Sequence, residues 1–262
     1  MKVAPKKSLG QNFLIDKKII KKICDAGLIS QRDNVIEIGP GTGNLSEFII
    51  QKKPQNFHLI EKDKRFIRYL NEKFKDKINV INEDILTYDL KKLSNSNLIV
   101  FGNLPYNISS QILTKFINYN AKDFIYKKLI FMFQKEVADR ILAKENTKNY
   151  GRLSIFSSWK LNIKKIMDID PSSFHPKPKV TSSLLVFEPK LNFIEFKNSK
   201  NLEHITNIFF NQRRKMIKKP LNIVFNNSKK VIEELNLDQK LRPQNLSKDT
   251  FYKMCLIYEK LI

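Results

Sequence analysis

Short apolar runs separated by stretches of helical spacing organise the first two thirds of the chain. Val35-Ile36-Glu37-Ile38, Phe57-His58-Leu59-Ile60, Ile78-Asn79-Val80-Ile81, Leu98-Ile99-Val100-Phe101 and Leu129-Ile130-Phe131-Met132-Phe133 have the length and side-chain shape of buried strands. Their alternation with helical segments predicts a parallel, doubly wound sheet. Two more β-rich runs follow, Trp159-Lys160-Leu161-Asn162-Ile163 and Ser183-Leu184-Leu185-Val186-Phe187. Pro171, Pro176 and Pro178 between them are incompatible with a crossover helix, which leaves an antiparallel relation open for this last pair. The expectation is an α/β fold with seven strands, mostly parallel. From about Leu191 the apolar positions take helix spacing, as in Leu202, Ile205, Ile208 and Phe209, then Val231, Ile232 and Leu235, then Phe251, Met254, Cys255 and Tyr258. We therefore expect a domain over residues 1–190 and a small all-helical domain over 191–262.

Chemistry-bearing residues cluster where the predicted strands end. The first strand runs into Gly39-Pro40-Gly41-Thr42-Gly43 and then a helix, so that backbone can approach a ligand beside a helix N-terminus. The spacing is G-x-G-x-G, not the G-x-G-x-x-G of dinucleotide folds, and a tight strand-to-helix connection would also explain it. Glu61 closes the second strand, where a carboxylate can accept two ribose hydroxyls. Asp84 follows the third, where one can accept from an adenine amino group. Together these positions point to an adenosine-containing cofactor. After the fourth strand comes Gly102-Asn103-Leu104-Pro105-Tyr106-Asn107-Ile108-Ser109. The Asn103 side chain and the Leu104 carbonyl are acceptors suited to both hydrogens of an exocyclic amine, and Tyr106 is suited to stack on its ring.

Charge changes the picture of the partner. Lys and Arg number 48 against 26 Asp and Glu, a formal net charge of +22, which favours capture of a polyanion. The abundance of Lys, Asn and Ile offers a competing origin in codon bias. Arg213, Arg214 and Lys215 with Lys218 and Lys219 form a basic stripe that is either a solvated face or a phosphate-binding one. Cys24 and Cys255 have no C-x-x-C spacing, no apolar run reaches membrane-span length, and no leader pattern opens the chain. A monomeric cytoplasmic protein with reduced thiols is the expectation. His58, His175 and His204 lack metal-ligand spacing, so no metal is expected.

Asn-Leu-Pro-Tyr at 103–106 resembles the N/D-P-P-Y motif of amino-group methyltransferases. More closely, the chain resembles the ribosomal RNA small subunit adenine N6-dimethyltransferase family, through seven blocks in order. These begin with Leu9-Gly10-Gln11-Asn12-Phe13-Leu14, Glu37 through Gly43 and Phe101 through Ser109. Gln134 through Arg140 with Tyr150 through Ser154, Pro171 through Val180, and Phe210 through Lys215 complete them. The resemblance implies a Rossmann-like methyltransferase sheet, S-adenosyl-L-methionine as methyl donor, and 16S rRNA in small ribosomal subunit particles as partner. It implies dimethylation of two adjacent adenosines near the 3′ end of that RNA, with a role in ribosome biogenesis. Under it Asn12 and Leu14 close over the donor, Gly39 contacts its amino-acid end, and Gly41 is a further donor-binding residue. Glu61 binds its ribose, Asp84 its adenine, and Asn103 lies beside donor and target base. Phe174 stacks on the flipped adenine from the face opposite Tyr106.

Two rivals follow from the same residues. Antibiotic-resistance methyltransferases of large-subunit RNA share the Gln-Asn-Phe block but favour Asn-Ile-Pro-Tyr and lack the blocks after position 170. An assembly factor that binds pre-ribosomal RNA as a checkpoint is the other.

Overall fold

The structure is a computed structural model that describes residues 5–6, 10–93, 97–119 and 125–261. Leu9, which opens the first family block, lies outside the described residues, as does most of the basic stretch before it. The chain divides into two compact units, one of residues 1–138 and 162–189, the other of 139–161 and 190–262.

In the first unit the apolar runs form β2 (Asn34–Ile38), β3 (Asn56–Glu61), β4 (Asn79–Asn82), β5 (Leu98–Asn103) and β6 (Tyr126–Gln134). With β7 (Leu161–Ile169) and β9 (Ser182–Pro189) they make a seven-stranded sheet of order β4-β3-β2-β5-β6-β9-β7. Strands β2 to β6 pair in parallel, and β9 is antiparallel to β6. Their runs are almost continuously apolar because helices cover both faces of a parallel sheet. Val35, Ile36, Leu59, Ile99, Val100 and Phe101 are fully buried. Helix α1 (Lys17–Ala26) begins where the Asp16 carboxylate accepts from the N–H groups of Lys18 and Ile19 at 2.8 and 3.2 Å. Helices α2 (Asn44–Gln51), α3 (Lys64–Phe74) and α4 (Ser109–Ile117) follow β2, β3 and β5.

Register sets the site. Ile38 lies between Ile60 and Gly102 on its two neighbours, so the turn after β2, Glu61 at the end of β3 and Asn103 at the end of β5 share one edge. The chain also reverses its winding between β2 and β5, and open α/β sheets form their crevice at that point.

The structure corrects the expected run Trp159–Ile163. Trp159 and Lys160 finish α6 (Arg152–Lys160), and the strand starts at Leu161 and runs to Ile169. Trp159 leaves strand geometry because its ring is held in the second unit, stacked on Phe196 at 4.7 Å with its indole N–H donating to the Ile194 carbonyl at 2.7 Å. A second pairing was not expected at all: β1 (Phe13–Leu14) runs antiparallel to β8 (Phe174–His175) in a separate two-stranded sheet.

The second unit is helical, but it does not begin at residue 191 as the sequence boundary has it. It takes in the end of α5 (Lys135–Leu142) and all of α6 beside α7 (Ser199–Asn211), α8 (Lys218–Val224), α9 (Ser228–Glu234) and α10 (Lys248–Leu261). The reason is the burial of α6: Ile155, Phe156 and Trp159 are core residues, and the Tyr252 hydroxyl of α10 donates to the Ile155 carbonyl at 2.8 Å. Buried Glu259 accepts from the N–H groups of Lys197 and Asn198 at 2.9 and 3.0 Å, fixing the start of α7. Pro220 sits in the first turn of α8, where its missing N–H costs no helical bond.

Candidate active site

The turn after β2 makes the floor of a cavity. Gly39 has φ of +64° and open space where a Cβ would stand, so the bare backbone forms a cradle. Gly41, at φ of +52°, lies against the Phe13 ring so closely that a Cβ would collide with it. The cavity is lined by residues 10–13, 38–39, 41, 60–63, 83–85, 103, 105, 107–108 and 112. Of the residues expected to touch the donor, Asn12, Gly39, Gly41, Glu61, Asp84 and Asn103 all line it.

Two carboxylates sit on the β3–β4 side. Buried Glu61 accepts from the Asp63 N–H at 2.8 Å through Oε1 and from the Gly41 N–H at 3.2 Å through Oε2. Each oxygen keeps a second lone pair, and the carboxylate already ties the glycine turn to β3. Burial raises its pKa, opposed by those N–H donors. Asp84 accepts from the Leu86 N–H at 2.9 Å and from the Lys62 ammonium at 2.7 Å. Partial burial works against its charge, yet Lys62 and the Leu86 N–H together hold its pKa below the ordinary value.

Asn103 stands opposite. Its Nδ2 donates to the Asn12 carbonyl at 2.7 Å, and because a carbonyl can only accept, this bond fixes which end of the amide is which. Oδ1 remains as the acceptor at the cavity wall. Beyond it, the Tyr106 hydroxyl is hydrogen-bonded to Ser182 Oγ at 2.7 Å, so this half-buried ring is tethered to β9. The Leu104 side chain is almost fully buried against Gly102, which leaves only the residue's backbone for the acceptor role expected of it.

Two expected site residues lie away from the cavity wall. Leu14 is buried and reaches the site only through its backbone, where its carbonyl accepts from Asn44 Nδ2 at 2.7 Å. Phe174 is 3% exposed and belongs to the same apolar core as Leu14, Ile20 and Leu184. The ring packs inward because β8 pairs with β1 and alternate side chains of that strand face opposite ways, leaving His175 exposed.

Sequence reasoning missed the fastening of the N-terminal segment. Gln11 Nε2 donates to Asp63 Oδ2 at 3.1 Å, and Arg65 grips the same carboxylate at distances of 2.6 to 3.1 Å. The Arg65 guanidinium holds Asp63 well below the usual carboxylate range. Glu37 was also passed over: it is buried under the glycine turn, where its Oε2 accepts from Ser46 Oγ at 2.6 Å. Burial pushes its pKa up to about 7, against the Ser46 bond and helped by the like charge of Glu61. The family block at 37–43 contained this residue, but an acid inside a strand gave no sign of its role.

In the second unit the basic stripe divides. Arg214, Lys215, Lys218 and Lys219 are exposed. Arg213 is half-buried, and its guanidinium donates to Gln244 Oε1 at 3.2 Å and to the Thr147 carbonyl at 3.1 Å. No group of three or more His, Cys, Asp or Glu residues among the described residues could hold a metal ion.

A family model for ribosomal RNA adenine dimethylase matches residues 3–260. The ribosomal RNA small subunit methyltransferase A of Pelagibacter ubique (strain HTCC1062) is 54% identical over 261 residues, covering 100% of this chain and 99% of that protein. Among solved structures, a dimethyladenosine transferase from Plasmodium falciparum superposes with a TM-score of 0.80 at 27% identity, covering 95% of this chain and 98% of that one. The 23S rRNA methyltransferase ErmE shares the fold with a TM-score of 0.69 at 20% identity, over 95% and 100% of the two chains. With a crevice floored by glycines and an amide acceptor at one sheet edge, and with nearly the whole sequence matched, this chain belongs to the ribosomal RNA adenine dimethylase family.

Proposed function

We propose that this enzyme uses S-adenosyl-L-methionine to dimethylate N6 of two adjacent adenosines in the 3′-terminal hairpin loop of 16S rRNA, within small ribosomal subunit particles. The observation that carries the reading is the Asn103 amide, whose donor end is occupied by the Asn12 carbonyl and whose acceptor end is left for an incoming amine. The reading also rests on the small-subunit methyltransferase relative. Monomeric action in the cytoplasm fits two buried free cysteines and a basic surface.

S-adenosylmethionine supplies an activated methyl group when bound, so the protein need not form a covalent intermediate. Glu61 accepts ribose hydroxyls with its remaining lone pairs, Asp84 accepts from the adenine amine, and the bare backbone at Gly39 leaves room for the amino-acid end. Asn103 Oδ1 and the Leu104 carbonyl accept the two hydrogens of the target amine. They orient its lone pair and stabilise the positive charge that develops on nitrogen. Tyr106 holds the base, which must leave its stack to enter, a step that is easiest in a loop. Phe174 can join that stacking only if β8 turns its ring out of the core. Residues 191–262, with Arg213, Arg214, Lys215, Lys218 and Lys219, serve RNA binding in this reading, helped by α6.

The test is methyl transfer from tritiated S-adenosylmethionine to undermethylated small-subunit particles, set beside protein-free large-subunit RNA. Dimethyladenosine in the small-subunit RNA alone is the expected result. Label in the large-subunit RNA alone would replace this reading with the antibiotic-resistance one, and particle binding without transfer would favour the assembly factor.

A further inference from the structure

The second unit holds a cavity of its own whose wall gathers three arginines from three segments: Arg140 in the last turn of α5, Arg152 at the start of α6, and Arg213 just beyond α7. We propose that this cavity is a binding pocket for a backbone phosphate of RNA. The proposal rests on the reading of RNA as the substrate and gives that substrate a second point of attachment.

Charge is the first argument. No carboxylate lines the cavity, and among the described residues none pairs with these guanidinium groups. Their intramolecular partners are neutral: Gln244 and the Thr147 carbonyl for Arg213, and Asn207 Oδ1 for Arg152 at 2.9 Å. Three like charges facing one space repel one another, and an anion between them converts that repulsion into attraction. Guanidinium forks also match the oxygens of a phosphate in geometry.

Preorganisation is the second. Arg213 is held by two hydrogen bonds, so little side-chain freedom is lost when it takes a ligand. Residues 151–153 of the wall are the start of α6, where first-turn N–H groups have no acceptor within the helix and the helix dipole favours negative charge. Asn149 and Asn211 add amide donors to the same wall. The floor is firm, since the Phe210 ring packs edge-on against fully buried Tyr150 at 6.1 Å and also against Phe251 at 5.6 Å.

Access is the third. Arg140 and Arg152 are exposed, so the rim is open to a polymer that continues past it. That favours a phosphate within an RNA chain over an enclosed small metabolite.

The experiment compares two double substitutions of equal charge in the full-length protein. Arg140→Ala with Arg152→Ala empties the pocket rim, whereas Lys229→Ala with Lys230→Ala removes two exposed charges on α9 outside the wall. Binding of an RNA hairpin is followed by filter binding across a sodium chloride series. The expected result is that the pocket pair binds at least tenfold more weakly than wild type and lowers the slope of log affinity against log salt by about one, for the one phosphate no longer neutralised. The α9 pair should shift affinity only slightly. Equal losses from both pairs would overturn the proposal, because the arginines would then act only through net charge. If the double variant melts early, Arg140→Ala alone serves, since that side chain has no partner among the described residues to lose; an unchanged slope would again overturn the proposal. The assay uses no methyl transfer, so the pocket can fail while the methyltransferase reading stands, and the reverse.

Discussion

In the proposed mechanism Asn103 has one end of its amide to offer the substrate, because Nδ2 is engaged by the Asn12 carbonyl. Asn103→Ala should leave S-adenosylmethionine affinity within a few fold and slow single-turnover methylation roughly a hundredfold, the scale for losing one preorganised polar group at a reacting centre. Asn103→Asp should not rescue it, since a carboxylate cannot donate to Asn12. Phe174 supports a different expectation. Burial in the core makes Phe174→Ala a cavity mutation costing about 3–5 kcal/mol of stability, more than the roughly 1–3 kcal/mol of a stacked base. Urea unfolding reads the first and target-adenine binding the second; a stable variant with weakened base binding would restore the stacking role. Glu37 makes stability depend on pH. Its folded pKa of about 7 exceeds the ordinary 4.5, so between those values the folded state keeps a proton that the unfolded chain has released. Its contribution is therefore full below 4.5 and lost as pH rises through 7. Glu37→Gln, neutral throughout and still able to accept from Ser46, should melt several degrees above wild type at pH 8 and show little difference at pH 4.5, by calorimetry.

At the scale of elements, the site depends on a short segment crossing the glycine turn. The β1–β8 pairing, the Asn44 bond to the Leu14 carbonyl and the Gln11–Asp63 hydrogen bond hold residues 11–14 in place, and Phe13 then fills the space beside Gly41. Gly41→Ala should lower cofactor affinity tenfold or more, because its Cβ displaces Phe13 and its positive φ disfavours a side chain. Combining it with Phe13→Ala removes the clash, so isothermal titration of the double variant should recover part of the loss. If the two losses simply add, the ring is not the obstacle.

At the scale of the whole molecule, +22 charges draw the protein towards any polyanion, and the proposed role of the exposed part of the stripe is to hold it. Reversing Arg214, Lys215, Lys218 and Lys219 to Glu should weaken particle binding by more than tenfold and flatten its salt dependence. S-adenosylmethionine affinity should stay constant, since none of the four lines the cofactor cavity. An unchanged slope would make the stripe a solvated face.

Short-range pattern determined a great deal. Strand cores over 35–38, 57–60 and 98–101 were legible because buried parallel strands are almost continuously apolar, and the cavity-lining positions were legible because glycines, Glu61, Asp84 and Asn103 each follow such a run. What sequence could not reveal were pairings between segments far apart in the chain. The Asn12 bond that orients Asn103 spans 91 positions, β1 meets β8 across about 160 residues, and α6 joins helices that begin nearly forty residues later. None of these leaves a local period. Phe174 shows the same limit: its motif marked it, but pairing of two-residue strands turned its ring into the core. Periodicity reports which faces a segment must bury, whereas the partner that buries them is chosen only when the whole chain packs.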